Sequence, residues 1–265
     1  MKNTFLFIMV VVLGCGKQAS QTQPETKSQP KKEVKKPAPP KAFTNTLGMK
    51  FVPVPGTDVL FCIWETRVKD YAAYAPTNAG IDASWKEPGF KQADTHPVVN
   101  VSWNDAQAFC AWLTKEEVAA GKIKEGQKYR LPTDVEWSVA VGLGKEKGNT
   151  PKEKKAGIKG VYPWGKEWPP PKGAGNYNKI MKLDNFDYAS PVESFVANQF
   201  GLHDMGGNVW EWCEDMYNQT SSIRVLRGAP WAFHFADHLL SSNRLDRHTG
   251  SRYSINGFRC VLASE

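Results

Sequence analysis

The sequence predicts an α+β protein with one irregular domain, built around large aromatic rings and containing little regular secondary structure. Its 265 residues, 41% of them hydrophobic, are enough to enclose one sizeable core. The 22 glycines and 18 prolines keep most segments short, and the ten tryptophans provide large side chains for the core. The Lys- and Gly-rich stretch 145–160 predicts a surface loop inside this domain and not a boundary between two domains.

The first fifteen residues have the pattern of an export signal. Lys2 precedes an apolar run of eleven residues, 4–14, which is too short to span a bilayer as a helix. The run ends in Val-Leu-Gly followed by Cys15, which resembles a bacterial lipobox whose cysteine is lipidated. Residues 1–15 are therefore predicted to be a lipoprotein signal peptide ending at Cys15. The alternative is an ordinary secretory signal with a chance cysteine.

Residues 16–42 are rich in Pro, Lys, Gln, Ser and Thr and predict a disordered spacer before the domain at 43–265. The formal charge of +7 is concentrated there, because residues 17–41 contain seven lysines and two glutamates. Because the domain itself carries almost no net charge, the composition argues against a nucleic-acid-binding protein. The chain is thus expected to be exported and anchored to a membrane by its lipid, facing the periplasm or the cell exterior.

Three helices are predicted from local signals. One covers residues 66–75 and stops at the following proline. A second is capped by Ser102, carries apolar residues at i, i+3, i+4 and i+7, and stops at Gly121. The third begins at the capping box formed by Thr133 and Glu136.

The stretch "GLHDMGGNVWEWCED" at 201–215 predicts a strand that is buried on both faces. Its alternation places Glu211 on one face and Trp210 and Trp212 on the other. A buried carboxylate is costly unless it is paired or binds a metal. The sequence therefore predicts a partner for Glu211.

Eight segments, in their order along the chain, resemble the formylglycine-generating enzyme family, also called the sulfatase-modifying-factor family. Together they extend over about residues 46–263. The resemblance implies a single compact domain that is distantly similar to C-type lectins. The segments are "GMKFVPVPG" (48–56), "HPVVNVSWNDAQAFCAWL" (96–113), "YRLPTDVEW" (129–137), "YPWG" (162–165), "SPVESF" (190–195), "FGLHDMGGNVWEWCED" (200–215), "RVLRGAPW" (224–231) and "NGFRCVL" (256–262).

The resemblance also implies two structural calcium sites. Calcium takes six to eight oxygen ligands and accepts both carboxylates and backbone carbonyls. The first, here named the Asn176 site, would use Asn176, Tyr177, Asp184 and Phe186. The second, named the tryptophan-motif site, would use Asp204, Gly207, Val209 and Glu211. The alternative for Glu211 is a buried ion pair with an arginine such as Arg227 or Arg244.

In this family the cysteine of "AFC" pairs with the cysteine of "GFRC", which implies a disulfide between Cys110 and Cys260. In an oxidising compartment such a bond adds roughly 2–4 kcal/mol to the free energy of unfolding. Cys62 and Cys213 are expected to be buried free thiols, although a bond between them is an alternative.

The family oxidase holds copper(I) with two cysteines, since soft thiolates suit that soft ion. The corresponding positions are Phe233 and His238, and no cysteine lies between Cys213 and Cys260. The chain is therefore expected not to bind copper and not to generate formylglycine. A calcium-stabilised binding or assembly module is the preferred hypothesis, with a monomeric domain.

The alternative is an enzyme. His234 and His238 are spaced so that a helix would place both imidazoles on one face, as a metal site requires. Such an oxidoreductase, or a diverged oxidase, would act on a peptide or a small thiol. The binding hypothesis places a peptide, protein or glycan in a pocket lined by Trp231, Phe233, His234, His238, Arg244 and Arg259.

Overall fold

The computed structural model describes residues 41–219 and 222–264. Cys15, the signal peptide and nearly all of the predicted spacer lie outside these residues, so the structure does not test them. Within the described part of the chain, no helix has the length and apolar character needed to cross a bilayer.

The described residues form a mixed α+β domain, as the sequence predicts, with short elements separated by turns. The α-helices are α1 (Val68–Tyr74), α2 (Trp103–Ala119), α3 (Asp134–Ala140) and α4 (Pro151–Lys154). The strands are β1 (Phe43–Thr44), β2 (Lys50–Pro53), β3 (Val59–Cys62), β4 (Gln127–Arg130), β5 (Trp210–Met216), β6 (Ile223–Arg227), β7 (Leu245–His248), β8 (Asn256–Gly257) and β9 (Val261–Ser264). Short 3-10 turns lie at Ala75–Thr77, Ala83–Lys86, Lys179–Met181 and Ala236–His238.

The predicted caps begin the helices where the sequence places them. The Ser102 hydroxyl accepts from the backbone N–H of Asp105, whose carboxylate accepts in return from the N–H of Ser102. Thr133 and Glu136 form the same reciprocal pair at the start of α3. These two boundaries are confirmed because the capping groups satisfy N–H groups that the helix itself leaves unpaired.

Two sheets provide the framework. The first is antiparallel throughout, with strand order β1-β2-β3-β9-β4. The second has the order β7-β6-β5-β8, with β5 and β8 parallel and the other pairs antiparallel. Trp210 and Trp212 on β5 are almost fully buried and join one continuous aromatic and aliphatic core. The motif strand is thus interior to its sheet and buried on both faces, which leaves Glu211 without access to water.

Candidate functional site

Glu211 is paired with an arginine on the segment between β8 and β9. Glu211 and Arg259 are both fully buried. Arg259 Nη2 donates to Glu211 Oε1 at 2.6 Å, and Arg259 Nε donates to Oε2 at 2.7 Å. The indole Nε1–H of Trp137 donates to Oε2 at 2.9 Å. This bidentate geometry neutralises the carboxylate, so the alternative that paired Glu211 with Arg227 or Arg244 was right about an ion pair and wrong about its partner.

Arg227 and Arg244 are engaged elsewhere. Both guanidinium groups contact the carboxylate of Asp134 at the start of α3, at 2.6 Å and 2.9 Å. Arg244 also pairs with Glu146 at 2.6 Å, which ties the loop 145–160 to the core. These opposite charges hold the pKa of Asp134 below its usual value, although burial alone would raise it.

The prediction that Arg244 and Arg259 line the pocket is therefore wrong. Arg244 and Arg259 are fully buried and hold ion pairs inside the domain, so neither lines an accessible pocket. An isolated arginine in the apolar run "NGFRCVL" is a sequence signal for a buried anion. The identity of that anion depends on how β5 packs against the segment before β9, which a linear pattern does not contain.

The remaining predicted pocket residues lie on an aromatic surface, which we define as Phe90, Tyr188, Trp231, Phe233, His234, Phe235 and His238. The Trp231 ring packs edge-on against Tyr188 and Phe90, with centroids 5.1 Å and 6.0 Å away. Phe233 packs edge-on against Trp210 at 5.8 Å. Phe235 and Tyr188 are strongly exposed, with 61% and 47% of their surfaces accessible. The segment after β6 thus presents rings to solvent at the place where the resemblance implies chemistry.

Two ring nitrogens at this surface, Trp231 Nε1 and His234 Nδ1, are buried and have no protein hydrogen-bond partner. The Nε1 of Trp210, which lies in the core behind Phe233, has none either. An unpaired indole N–H is unfavourable, so Trp231 would gain from a ligand that supplies an acceptor oxygen.

His234 and His238 do not form the helical pair that their spacing predicts. His238 ends the short 3-10 turn Ala236–His238, and His234 precedes that turn. The Phe235 ring contacts both imidazoles, with centroids 4.1 Å and 5.7 Å away. Within the residues that the structure describes, no group of three or more His, Cys, Asp or Glu side chains is placed to hold a metal.

The cysteines of the described chain are all buried thiols. The sulfurs of Cys110 and Cys260 lie 3.6 Å apart, so the fold brings the predicted pair together, but no covalent bond joins them. Burial raises the pKa of Cys213 and Cys260 well above the usual value, which keeps both thiols protonated and weakly nucleophilic.

The four predicted residues of the Asn176 site lie together. The Asp184 carboxylate accepts from the backbone N–H groups of Tyr177 and Phe186, at 3.2 Å and 2.8 Å. Asn176 is fully buried and its Oδ1 has no hydrogen-bond partner. Asp184 supplies a carboxylate and Asn176 an unsatisfied amide oxygen, both of which calcium accepts, so the chemistry of these residues fits the ion that the resemblance implies.

The tryptophan-motif site fits less well, because Glu211 is already neutralised by Arg259. Asp204 retains an unpaired buried oxygen, Oδ1, while its Oδ2 accepts from the N–H of Glu193 at 3.2 Å. Arg259 therefore already compensates the charge of one predicted ligand, and the ligand set of the tryptophan-motif site stays a prediction.

Sequence reasoning missed a second buried carboxylate near Asp204. Glu65 is fully buried, its Oε1 accepts from Asn208 Nδ2 at 3.2 Å, and its Oε2 has no partner. Burial, reinforced by repulsion from Asp204, raises the pKa of Glu65 well above its ordinary value. Burial also raises the pKa of Asp204, to about 6. No motif in the sequence joins Glu65 to residues almost 140 positions later.

Comparison with known proteins places this geometry in a family. Residues 9–264 match the sulfatase-modifying factor enzyme 1-like domain. Over 195 residues the chain is 37% identical to the inactive C-alpha-formylglycine-generating enzyme 2 of Bos taurus, covering 68% of this chain and 56% of that protein. It is 29% identical to the formylglycine-generating enzyme of Thermomonospora curvata, covering 68% of this chain and 61% of the enzyme. The chain thus spans little more than half the length of these relatives.

Solved structures agree on the fold. PvdO from Pseudomonas aeruginosa superposes with a TM-score of 0.61 at 18% identity, covering 86% of this chain and all of that one. CarF superposes with a TM-score of 0.56 at 20% identity, covering 83% of this chain and 99% of that one. Because the family match extends over residues 9–264, nearly the whole chain, this protein belongs to the sulfatase-modifying factor family.

Proposed function

We propose that this protein is a calcium-stabilised binding module, exported and lipid-anchored, that does not carry out the oxidation of its active relatives. The observation that carries the proposal is the chemistry of residues 228–244. By the family resemblance, Phe233 and His238 fall at the two positions where the oxidase holds copper(I), and neither side chain is a thiol. Without a thiolate pair, copper(I) loses the soft ligands that it prefers.

The aromatic surface is suited to binding a ligand. Large rigid rings bury much area at little cost in conformational entropy, and they are common at the centres of protein interfaces. The unpaired indole N–H of Trp231, whose side chain is partly exposed, would donate to an acceptor oxygen. We propose an extended peptide segment of a partner protein as the occupant, because its main-chain carbonyls provide such acceptors at regular spacing.

Calcium is proposed as a structural ion at the Asn176 site. The Asp184 carboxylate and the unpaired Asn176 Oδ1 would help to hold it, and its charge would stabilise the loop around Asp184. Its role would be to fix this loop, whose backbone at Asn178 bonds to Phe233 of the aromatic surface at 3.1 Å.

The membrane attachment is proposed from the sequence alone. Cys15 would carry the lipid, and residues 16–42 would hold the domain away from the membrane. Labelling cells with a radioactive fatty acid tests the assignment. The label should enter the parent protein and be lost from a Cys15→Ser variant. Label retained by that variant would contradict the lipid anchor.

The absence of oxidase activity is tested with the purified full chain, copper(I), oxygen and a cysteine-containing peptide. The enzyme of Thermomonospora curvata serves as the positive control. We expect no aldehyde from this chain. Aldehyde formation would overturn the proposal, and its loss in a His234→Ala/His238→Ala double variant would favour the histidine-dependent enzyme instead.

Binding is tested on peptide and glycan arrays with the same protein. Peptide signals should fall in a Trp231→Ala/Phe235→Ala variant. They should persist in Tyr253→Ala, which removes an exposed ring outside the aromatic surface. Signals confined to glycans would replace the proposed ligand class, and signals that ignore both aromatic substitutions would refute the surface as the binding site.

A further inference from the structure

Charge is unevenly distributed along the domain, although the domain as a whole carries almost no net charge. Residues 145–182 contain ten lysines and three glutamates, a formal charge of +7. The other residues of 43–265 include 16 basic and 22 acidic side chains, a formal charge of −6. Nothing in the proposed binding function uses this excess of lysine.

Part of the lysine-rich segment surrounds a cavity of about 340 Å³ that shares no residue with the aromatic surface. Trp164 and Val196 are among the residues that line this cavity. The Trp164 ring stacks on Tyr162 with centroids 4.8 Å apart, and the Trp168 ring lies 5.4 Å from Tyr162. The three rings therefore place Trp168 near the rim of the cavity.

Three lysines lie in the segments around the same cavity. The backbone N–H of Gly173, a lining residue, donates to the carbonyl of Leu183 at 3.2 Å. This bond brings the backbones of Lys172 and Lys182 close together, because each directly precedes one of the two bonded residues. Lys166 lies in the short segment that joins the two tryptophans. All three lysines are exposed, and within the described residues none of them forms an ion pair.

Apolar side chains are exposed among these lysines. We define the docking surface as Lys166, Trp168, Lys172, Lys182 and Val196. Val196 exposes 90% of its surface and Trp168 exposes 44%. Where proteins contact a bilayer, tryptophan lies at the level of the headgroups, apolar side chains reach the acyl boundary, and lysines attract anionic lipid. The docking surface combines these three kinds of group.

The type of basic residue favours a membrane over an acidic protein as the occupant. All ten basic residues of 145–182 are lysines, whereas all six of 224–259 are arginines. Two of those arginines, Arg244 and Arg259, are fully buried in ion pairs of fixed geometry. Arginine is enriched and lysine is depleted at interfaces between proteins. Lysine is a compact charge on a flexible stem, which suits a fluid layer of lipid phosphates.

We propose that the docking surface binds the headgroup region of an anionic bilayer, with its three ammonium groups at lipid phosphates and with Trp168 and Val196 at the interface. This binding goes beyond the lipid anchor and does not require it, because the contacts belong to the folded domain. Where Cys15 carries lipid, the anchor would raise the effective concentration of bilayer at the surface, so that weak contacts suffice. A flexible spacer at 16–42 permits both a docked and a distant domain.

The test is flotation of the full chain carrying Cys15→Ser with vesicles of phosphatidylcholine and with vesicles that also contain phosphatidylglycerol. The substitution removes the lipid, and the signal peptide is present in every variant, so differences between variants report the domain. We expect binding to the anionic vesicles that weakens as the salt concentration rises. Lys166→Gln/Lys172→Gln/Lys182→Gln should weaken this binding at least about tenfold.

The matched control Lys115→Gln/Lys122→Gln/Lys124→Gln removes the same charge from exposed positions near the end of α2 and should leave binding nearly unchanged. Equal weakening in the two triple variants would show that net charge alone drives binding and would overturn the proposal.

The apolar part of the surface is tested separately. Trp168→Ala/Val196→Ser keeps all the lysines and should also weaken binding to the anionic vesicles. The absence of such an effect would overturn the proposal, as would equal binding to the neutral vesicles. If polyglutamate binds through the three lysines and anionic vesicles do not, the surface fits an acidic protein and the membrane assignment is wrong.

Discussion

The ion pair between Glu211 and Arg259 predicts a large loss of stability when its charge balance is broken. The substitution Glu211→Gln keeps the shape of the side chain and removes its charge. It leaves Arg259 fully buried without a counter-ion, because both guanidinium donors at 2.6 Å and 2.7 Å lose the carboxylate. The perturbation is therefore electrostatic and creates little cavity.

Removing one partner of a buried ion pair costs about 3–5 kcal/mol. For a domain of this size, that loss lowers the melting temperature by roughly 10 °C. Replacing both partners, as in Glu211→Gln/Arg259→Met, should recover part of the loss, because no unpaired charge then stays buried. The control Glu125→Gln makes the same chemical change at an exposed position and should leave the unfolding curve nearly unchanged.

Urea unfolding followed by tryptophan fluorescence measures the effect, since Trp137 donates directly to Glu211. A loss below about 0.5 kcal/mol in Glu211→Gln would refute the reasoning, since surface substitutions produce changes of that size. A second outcome would also refute it. If chelator destabilises the parent protein and has no effect on Glu211→Gln, Glu211 is a calcium ligand and not primarily the partner of Arg259.

Three further outcomes are expected. The pKa of Asp204 is raised by burial from 3.8 to about 6, so the folded state binds its proton more tightly than the unfolded state does. The contribution of Asp204, measured in chelator as the difference in free energy of unfolding between the parent protein and Asp204→Asn, should therefore fall as the pH rises from about 4 through 6. Removing calcium with EGTA should lower the melting temperature of the parent protein and leave Asp184→Asn unaffected; an equal response in both would contradict the Asn176 site. Oxidation should join Cys110 to Cys260 and raise the free energy of unfolding by about 2–4 kcal/mol, with no redox effect in Cys110→Ser; thiol titration before and after dithiothreitol provides the check.

Local features of the fold were predictable because their causes lie within a few residues of one another. The caps of α2 and α3 depend on Ser102 and Thr133 and on a carboxylate three positions later, and the structure has both. The buried strand at β5 follows from the alternation around Glu211. The prediction that His234 and His238 share one face of a helix was wrong. A single 3-10 turn and the packing of the Phe235 ring set the backbone conformation there.

The aromatic surface was only partly predictable. Trp231 and Phe233 follow the strand that pairs with the motif strand, so the sequence could place them near the family's reaction centre. Arg244 is close to them in sequence, yet its guanidinium turns inward to Asp134, which lies 110 residues earlier. Proximity in sequence therefore did not establish which side chains face solvent.

The sequence by itself determined the family, the neutral charge of the domain, the missing thiol pair and the need to neutralise Glu211. Each of these depends on residue identity or on short-range spacing. Only the tertiary structure decided that Arg259, 48 residues away, neutralises Glu211, and that Asp204 is left with an unpaired oxygen in the interior. The physical reason is that a buried charge interacts strongly with whatever the packing of the two sheets brings within hydrogen-bond distance.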